Sequence, residues 1–415
     1  MFIKIKRTYN EYPNPFKVLI LATFIDRLGG FLLFPFFSLY ITDHFGVGWI
    51  EIGFLFSLFS AGSIFGSTIG GALADKYGRR SMLLLGLVAS GIGSIGMGLV
   101  NNLNIFYILA ALLGTLGDLG NPARQAIVAD LLPKETQAQG FGLLRVAVNL
   151  SATIGPILGG FLAAYSYLFL FIADAVSSLI TALIVYLVIP ETKPQKLDAK
   201  AEESIIKTFA GYKEVLKDWV YVLFLSVSAI TVLIYMQLNS TLSVFLRDAH
   251  GFTKQSFGLL LSMNAIMVVL FQFWITKKVS KFAPMKMMAV GTLLYMIGFG
   301  MYGFISATYL FFIAMAILTV GEMIVIPVSQ TAVASFAPED KRGRYMALYG
   351  LHWAIPNLFG VLAAALVANH LGPNWVWYMA GILSLIAIVG FLLLHGVTKK
   401  RFSKEIESTI EVLYE

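Results

Sequence analysis

The chain has 415 residues, of which 58% are hydrophobic and only 13% are charged. A soluble globular domain carries about 25% charged residues, so this composition and a mean hydropathy of +0.79 exclude an ordinary soluble protein. No cysteine is present, which excludes disulfides and thiolate chemistry. No cleavable signal is expected, because the N-terminus is basic and polar and no A-x-A-like site follows a short apolar core.

Apolar windows long enough to cross a bilayer recur along the whole chain. A membrane helix needs about 20 mostly apolar residues. Twelve windows meet this need, and we number them spans one to twelve: 17–41, 50–73, 81–100, 104–125, 140–165, 168–189, 219–246, 256–276, 287–306, 308–335, 345–369 and 375–397. The sequence therefore predicts an all-α polytopic membrane protein, with a six-helix half at 1–189, a polar cytoplasmic linker at 190–218 and a second six-helix half at 219–415.

The basic residues predict how the spans are oriented. If both termini are cytoplasmic, 25 of the 30 Lys and Arg residues fall in cytoplasmic segments, and the outer loops hold only Arg247 and Lys254. Cytoplasmic loops of membrane proteins carry this excess. We therefore expect a multi-pass protein of the cytoplasmic membrane in contact with lipid. The net charge of +7 then reflects topology, and no nucleic-acid partner is needed to explain it.

The two halves resemble each other weakly at a constant offset of 205 residues. The segment 75–83 aligns with 280–288, Pro133 with Pro338, and 155–160 with 360–365. Two such repeats, related by an axis along the membrane normal, build one well-known transporter architecture. Transporters of that kind bind their substrate between the halves near the midplane, which is the expectation here.

The loop between spans two and three carries the most specific motif, "GALADKYGRR" at 71–80. It resembles the loop signature of the major facilitator superfamily at Gly71, Leu73, Asp75, Gly78, Arg79 and Arg80. Gly70 and Gly71 are expected to let helices approach closely, and Gly78 to permit a tight turn. The resemblance implies that Asp75, joined by Asp130 at the end of span four, latches the halves together at the cytoplasmic side. Alternatively, the basic residues of this loop only set topology.

A second motif lies in span five, "SATIGPILGG" at 151–160. It is similar to the G-x-x-x-G-P-x-x-G-G motif of antiporters in the same superfamily, with Ser151 at the first glycine and with Gly155, Pro156, Gly159 and Gly160 matching. Residues four apart share a helix face, so a neighbouring backbone can pack closely there. Span four departs from the family, because Ala110 or Ala111 stands where many proton-coupled members have an arginine.

Charged residues inside the spans are candidates for proton or substrate binding. A carboxylate at a helix centre costs about 2.5–3.5 kcal/mol, so such groups face the bundle interior. The candidates are Asp26 and Arg27 in span one, Asp118 in span four and Glu322 in span ten. Asp26 and Arg27 point about 100° apart on a helix and so do not simply pair with each other. A structural ion pair with a partner on another span is the alternative for these two residues, and Asp118 can have either role. For Asp174 we favour a structural hydrogen bond to a neighbouring helix.

Glu322 is the sharpest of these candidates. It stands alone in an apolar run, "AILTVGEMIVIPVSQ" at 316–330, and Pro327 one turn later predicts a bend. A carboxyl in an apolar interior can bind a proton on one side and release it after a conformational change, or attract a cation when ionised. A structural, protonated glutamate is the alternative. His352 in span eleven can titrate near neutrality, although a packing role is favoured for a lone histidine.

These features together predict a secondary transporter of the major facilitator type. The motifs favour proton-coupled efflux, by antiport, of amphipathic or cationic small molecules, as in the drug:proton antiporter branch. The alternative is a proton-coupled symporter that imports a polar nutrient such as a sugar or peptide. An enzyme or receptor is disfavoured, since no residues group at nucleophile or metal-ligand spacing. No nucleotide-binding loop is visible, so we expect a proton gradient and not ATP to be the energy source. We also expect that the protein needs no cofactor and functions as a monomer.

Overall fold

A computed structural model describes residues 12–192, 215–338 and 342–414. Within these residues nearly the whole chain is α-helical and no strand occurs. Twelve helical segments are long and apolar enough to cross a membrane, which confirms the predicted number of spans. Most of the predicted linker at 190–218 lies outside the described residues.

The helical segments overlap the predicted windows, most with bounds that differ by a few residues, and span seven is shorter than predicted. Spans one to six are Asn14–Phe45, Trp49–Tyr77, Arg79–Leu99, Leu103–Leu131, Gln139–Tyr165 and Tyr167–Val188. Spans seven to twelve are Trp219–Met236, Lys254–Val279, Pro284–Tyr302, Thr308–Val333, Leu348–Leu371 and Asn374–Lys399. Four of these spans belong to longer helices, which are Lys134–Tyr165, Thr308–Phe336, Arg342–Leu371 and Asn374–Tyr414.

Three predicted spans are interrupted where the sequence suggested continuous helix. Span one contains a 3-10 turn at Phe34–Phe36, around Pro35. Span four ends one helix at Asp118 and begins the next at Gly120. Span seven stops at Met236, and a separate helix covers Thr241–His250. Proline explains the first two breaks, because it has no N–H to donate to the carbonyl four residues earlier.

The described residues form two compact units. The first contains 12–192 together with 246–265, and the second contains 215–245 together with 266–414. The first six spans thus share a unit with the first part of span eight and the residues that precede it. The sequence prediction starts the second half at residue 219 because of the internal repeat. The packing of the helices places residues 246–265 in the first unit.

Glycines allow the helices of the first unit to pack closely. In span two, Gly62, Gly66 and Gly70 recur every four residues, and a Cβ on any of them would collide with the backbone of span four. Gly71 differs, because an added Cβ would lie 3.9 Å from Pro122 in ordinary contact. The prediction of close approach is therefore right for Gly70 and wrong for Gly71, which faces away from the tightest part of the interface.

The second unit is built around buried aromatic side chains. Span nine packs against spans ten and twelve, and span seven packs against spans eleven and twelve. Tyr295, Phe299 and Tyr302 of span nine are almost fully buried, as is Trp377 of span twelve. The rings of Tyr302 and Trp377 meet edge to face at 5.2 Å between centroids. This packing holds span ten, which carries Glu322, inside the unit.

Candidate functional site

A cavity of about 390 Å³ lies inside the first unit. Part of its wall is aromatic, formed by Phe31, Phe34, Phe37, Phe56 and Phe59. The rest includes the charged residues Asp26, Arg27, Asp118, Arg124 and Asp174. The cavity is therefore apolar with a few convergent ionisable groups, which is the usual composition of a small-molecule site.

Asp26 and Arg124 form an ion pair in the cavity wall. Nη2 of Arg124 donates to Oδ2 of Asp26 at 2.7 Å. The two side chains are only 14% and 12% exposed. Nε and Nη1 of Arg124 are buried without an acceptor among the described residues. A guanidinium that serves structure alone usually has its buried donors satisfied, so this pair retains unused hydrogen-bonding capacity.

Arg27 contacts a different part of span four. Its Nη2 donates to Oδ1 of Asn121 at 3.0 Å. The amide nitrogen of Asn121 donates to Oδ1 of Asp118 at 2.5 Å, and the hydroxyl of Ser63 donates to the other carboxylate oxygen of Asp118. Asp26 and Arg27, adjacent in sequence, thus reach separate partners, in agreement with their divergence on the helix. The result is a chain of polar contacts from span one through span four to span two.

The break in span four arranges these groups. Pro122 removes the donor for the carbonyl of Asp118, and the helix ends there before a new one begins at Gly120. Asp118, Asn121 and Arg124 follow at three-residue spacing across the break, and all three contact the cavity. Arg124 and Asn121 were not among the candidate residues singled out from the sequence. Polar residues at this spacing around a mid-span proline are the signal that would have identified them.

Asp174 of span six occupies the same cavity wall. The hydroxyl of Ser94 in span three donates to its Oδ2 at 2.7 Å. The predicted hydrogen bond to a neighbouring helix is therefore present. Asp174 also lines the cavity, which the sequence interpretation did not anticipate.

Glu322 lies in the second unit and is 9% exposed. The phenolic hydroxyl of Tyr235 in span seven donates to its Oε1 at 3.0 Å. Tyr235 and His352 belong to the wall of a small cavity of about 20 Å³, which is room for a single water molecule. Glu322 is thus buried and hydrogen-bonded, as a carboxyl inside a helix bundle must be.

His352 is buried and packed against Tyr349. The two rings stack with centroids 3.9 Å apart, and the His352 Nδ1 contacts the carbonyl oxygen of Tyr349. These contacts agree with the packing role favoured from the sequence. His352 nevertheless borders the small cavity beside Tyr235, so it remains a candidate.

The latch residues of the first unit are joined by charge pairs. Arg79 forms an ion pair with Asp130 at the end of span four and lies 3.7 Å from Asp75. Gly78 has φ of 110°, which confirms the tight turn that requires glycine. Glu191, assigned from the sequence to the linker, accepts a hydrogen bond at 2.8 Å from the backbone N–H of Arg79. It caps the start of span three, where a carboxylate is favourable for the helix dipole.

The remaining latch residues also lie in this region. The guanidinium of Arg80 donates to the carbonyl of Tyr186 and lies over the Tyr186 ring, 5.0 Å from its centroid. Gly71 precedes the charged part of the loop in span two. These contacts hold the ends of spans two, three, four and six together. The role of the latch in joining two halves stays a prediction.

The glycines of the span-five motif pack against two neighbours. A Cβ on Gly155 or Gly159 would collide with the backbone of span one at Phe31 or Leu32. A Cβ on Gly160 would lie 2.8 Å from the carbonyl oxygen of Lys254. The carbonyl of Pro156 in turn leaves no room for a Cβ on Gly258. The predicted close packing of this helix face is therefore confirmed.

Twelve membrane-length helices and a cavity lined by aromatic and charged side chains are typical of membrane transporters. A family model of the Major Facilitator Superfamily matches residues 19–307 and 228–413. The chain belongs to the Major Facilitator Superfamily, as its loop motif predicted.

Related proteins are similar along nearly their full length. A Na(+), Li(+), K(+)/H(+) antiporter of Planococcus maritimus is 26% identical, over 92% of this chain and 96% of its own. The multidrug resistance protein MdtH of Shigella flexneri is 23% identical, over 89% and 92%. The solved structure of a point mutant of the nucleoside transporter NupG superposes with a TM-score of 0.80 at 14% identity, covering 92% of this chain and 100% of the other. That likeness concerns the fold.

Proposed function

We propose that this chain is a proton-coupled antiporter that exports amphipathic or cationic small molecules by alternating access. The ion pair of Asp26 and Arg124 in the wall of the aromatic cavity carries the proposal. A pair at such a place is expensive to bury, and removal of either partner leaves an uncompensated charge. Its position beside open, aromatic-lined space favours a role in binding over a role in packing.

The composition of the cavity favours a cation over an anion. Three carboxylates and two guanidinium groups line it, so one negative charge is in excess when all are ionised. Phenylalanine faces attract cations electrostatically, an effect that strengthens where water is excluded. The volume of about 390 Å³ falls within the range of small-molecule pockets. An amphipathic organic cation suits both the charge and the aromatic wall.

Competition for the same carboxylates accounts for exchange. Ionised Asp26 is held by Arg124, and ionised Asp118 is held by Asn121 and Ser63. A proton bound to either carboxyl removes its charge and weakens its attraction for a cationic substrate. A substrate cation has the opposite effect and disfavours protonation. The proton and the cationic substrate therefore exclude one another from the site. Each change of access then carries only one of them across the membrane, and their exchange in opposite directions is antiport.

Glu322 provides a second proposed proton site, in the other unit. Its carboxyl is buried and its hydrogen bond from Tyr235 is available whether it is ionised or protonated. A carboxylate that costs about 2.5–3.5 kcal/mol at a helix centre is retained where function uses it. We infer that protonation of Glu322 accompanies the change of access, while the cavity of the first unit selects the substrate.

The rest of the proposal follows from topology. The distribution of Lys and Arg supports cytoplasmic termini in the cytoplasmic membrane. The proton gradient supplies the energy, no cofactor is required, and the monomer is the working unit.

Exchange of alkali-metal cations for protons is a second candidate function. It is favoured by the similarity to an antiporter named for Na(+), Li(+) and K(+). Asp118 with its neighbours Ser63 and Asn121 also offers the oxygen ligands that hard cations prefer. Import of a polar nutrient, the alternative from the sequence, is less favoured because five phenylalanine side chains form part of the cavity wall.

Proteoliposomes with an imposed pH gradient test the proposal. The purified protein is reconstituted with a pH-sensitive dye inside, and lipophilic organic cations, Na⁺, Li⁺, K⁺ and neutral sugars are added in turn. We expect organic cations to dissipate the pH gradient across liposomes that contain the parent protein but not across those that contain the Asp26→Asn variant. Dissipation by alkali-metal cations alone would favour the second candidate. Sugar-dependent proton uptake in the same direction as the sugar would overturn antiport.

A further inference from the structure

Pro327 interrupts the hydrogen bonding of span ten next to Glu322. It lies inside the continuous helix Thr308–Phe336. Because proline has no N–H, the carbonyl of Met323, four residues earlier, loses its intrahelical donor. An unsatisfied carbonyl at membrane depth is costly and must find another partner. The residue that carries this carbonyl, Met323, directly follows Glu322 in the chain.

Gln272 of span eight supplies the missing donor. Its Nε2 lies 3.0 Å from the carbonyl oxygen of Met323. The same nitrogen donates to Oγ1 of Thr276 at 2.8 Å, one turn along span eight. Both amide hydrogens of Gln272 are thus used, and the second bond orients the amide for the first.

The first repeat shows what happens without such a donor. Pro122 stands 205 residues before Pro327, the offset of the internal repeat. Span four breaks there, between Asp118 and Gly120, whereas span ten is continuous. The position equivalent to Gln272 is Ser67, which is exposed. The helix therefore breaks at Pro122 but continues through Pro327. The neighbouring span has a serine at the position of the first proline's missing donor and a hydrogen-bonding glutamine at that of the second.

We propose that Gln272 is a positioning residue for Glu322. By bonding the carbonyl that Pro327 releases, it keeps span ten helical through the proline and fixes the backbone that carries the carboxyl. This inference rests on the proposed role of Glu322 in proton coupling. Gln272 itself binds neither proton nor substrate, so its loss affects turnover and not substrate affinity.

A double-mutant cycle of Gln272→Leu and Pro327→Ala tests this directly. Pro327→Ala restores the N–H, so the Met323 carbonyl no longer needs Gln272. We expect Gln272→Leu alone to lower the turnover of gradient-driven export about tenfold at unchanged KM. This is the effect expected when one buried carbonyl is left without a hydrogen-bond donor. In the Pro327→Ala background the same change should have little effect. Gln330→Leu, at an exposed position of span ten, is the matched control.

The outcomes separate this inference from the proposed function. Thermal stability of the four purified proteins gives a second cycle that needs no transport. Equal losses from Gln272→Leu in both backgrounds, by stability or by turnover, would overturn the inference. Coupling in stability with unchanged turnover of Gln272→Leu would also overturn the positioning role. Normal coupled export by Glu322→Gln would instead reject the proposed role of Glu322, whatever the cycle shows about the bond.

Discussion

Oδ2 of Asp26 lies 2.7 Å from Nη2 of Arg124, across the interface between spans one and four. The two residues are 98 positions apart in the chain. Both line the cavity of the first unit, so the proposed substrate space is bordered by a carboxylate paired with a guanidinium.

Neutralising Asp26 should cost more than neutralising both partners. Asp26→Asn leaves the guanidinium of Arg124 buried without a counter-ion, a loss of about 3–5 kcal/mol. Asp26→Asn combined with Arg124→Gln removes the unpaired charge and should recover part of the stability but not export. Thermal unfolding and efflux assays check both expectations. Asp248→Asn, whose ion pair with Arg247 is about half exposed on the aspartate side, is the control and should change stability by at most about 1 kcal/mol.

Glu322→Gln should fold, retain binding of neutral compounds and lose gradient-driven export of cations. Glutamine keeps the shape and still accepts a hydrogen bond from Tyr235, but it cannot ionise. Tyr235→Phe removes the hydrogen bond and retains the carboxyl, so it should weaken export less. Dye efflux measured against external pH checks this. A Glu322→Gln protein that exports cationic dyes at the parent rate, with the parent pH dependence, would make Glu322 structural.

Asp75→Asn should insert normally but transport slowly. It removes one of the two carboxylates near Arg79 and leaves the other, Asp130, in place. Because the pair is partly exposed, stability should fall by about 1 kcal/mol or less, so a larger loss of turnover would reflect the conformational cycle. Lys76→Gln, at an exposed position of the same loop, serves as control. Normal turnover in Asp75→Asn at normal expression would reject the latch.

Gly66→Ala should destabilise the first unit. The added Cβ would collide with the carbonyl oxygen of Thr115 in span four, and backbone cannot yield as a side chain can. Overpacking of this kind costs about 1–3 kcal/mol. Gly142→Ala meets nothing within 4 Å and should be neutral or slightly stabilising. Thermal unfolding of the two variants in detergent measures the difference, and equal melting temperatures would contradict the close packing.

The chain should tolerate a cut between residues 193 and 214 when both pieces are produced together. This segment belongs to the predicted linker, whose Lys- and Glu-rich composition suggests little buried surface. Co-purification and transport by the two fragments check the expectation. Well-expressed fragments that do not reassemble would count against the linker assignment.

Hydropathy alone determined the number and approximate bounds of the spans, because each helix must satisfy its own backbone and present about 20 apolar residues to lipid. Local spacing also identified the latch turn at Gly78 and the glycine face at Gly155 and Gly159. These features depend on residues a few positions apart, which a single sequence displays directly.

Only the tertiary structure decided which charges meet. Arg124 pairs with Asp26, Glu191 caps span three, and Gln272 bonds the carbonyl of Met323. The sequence marked Asp26 and Glu322 as unusual but named no partners for them, and it assigned Glu191 to a linker. Such contacts join residues up to 112 positions apart, and they depend on how helices rotate and pack against one another. Periodicity within one helix reports which face is apolar, but the partner of a polar group is set by the neighbouring helix.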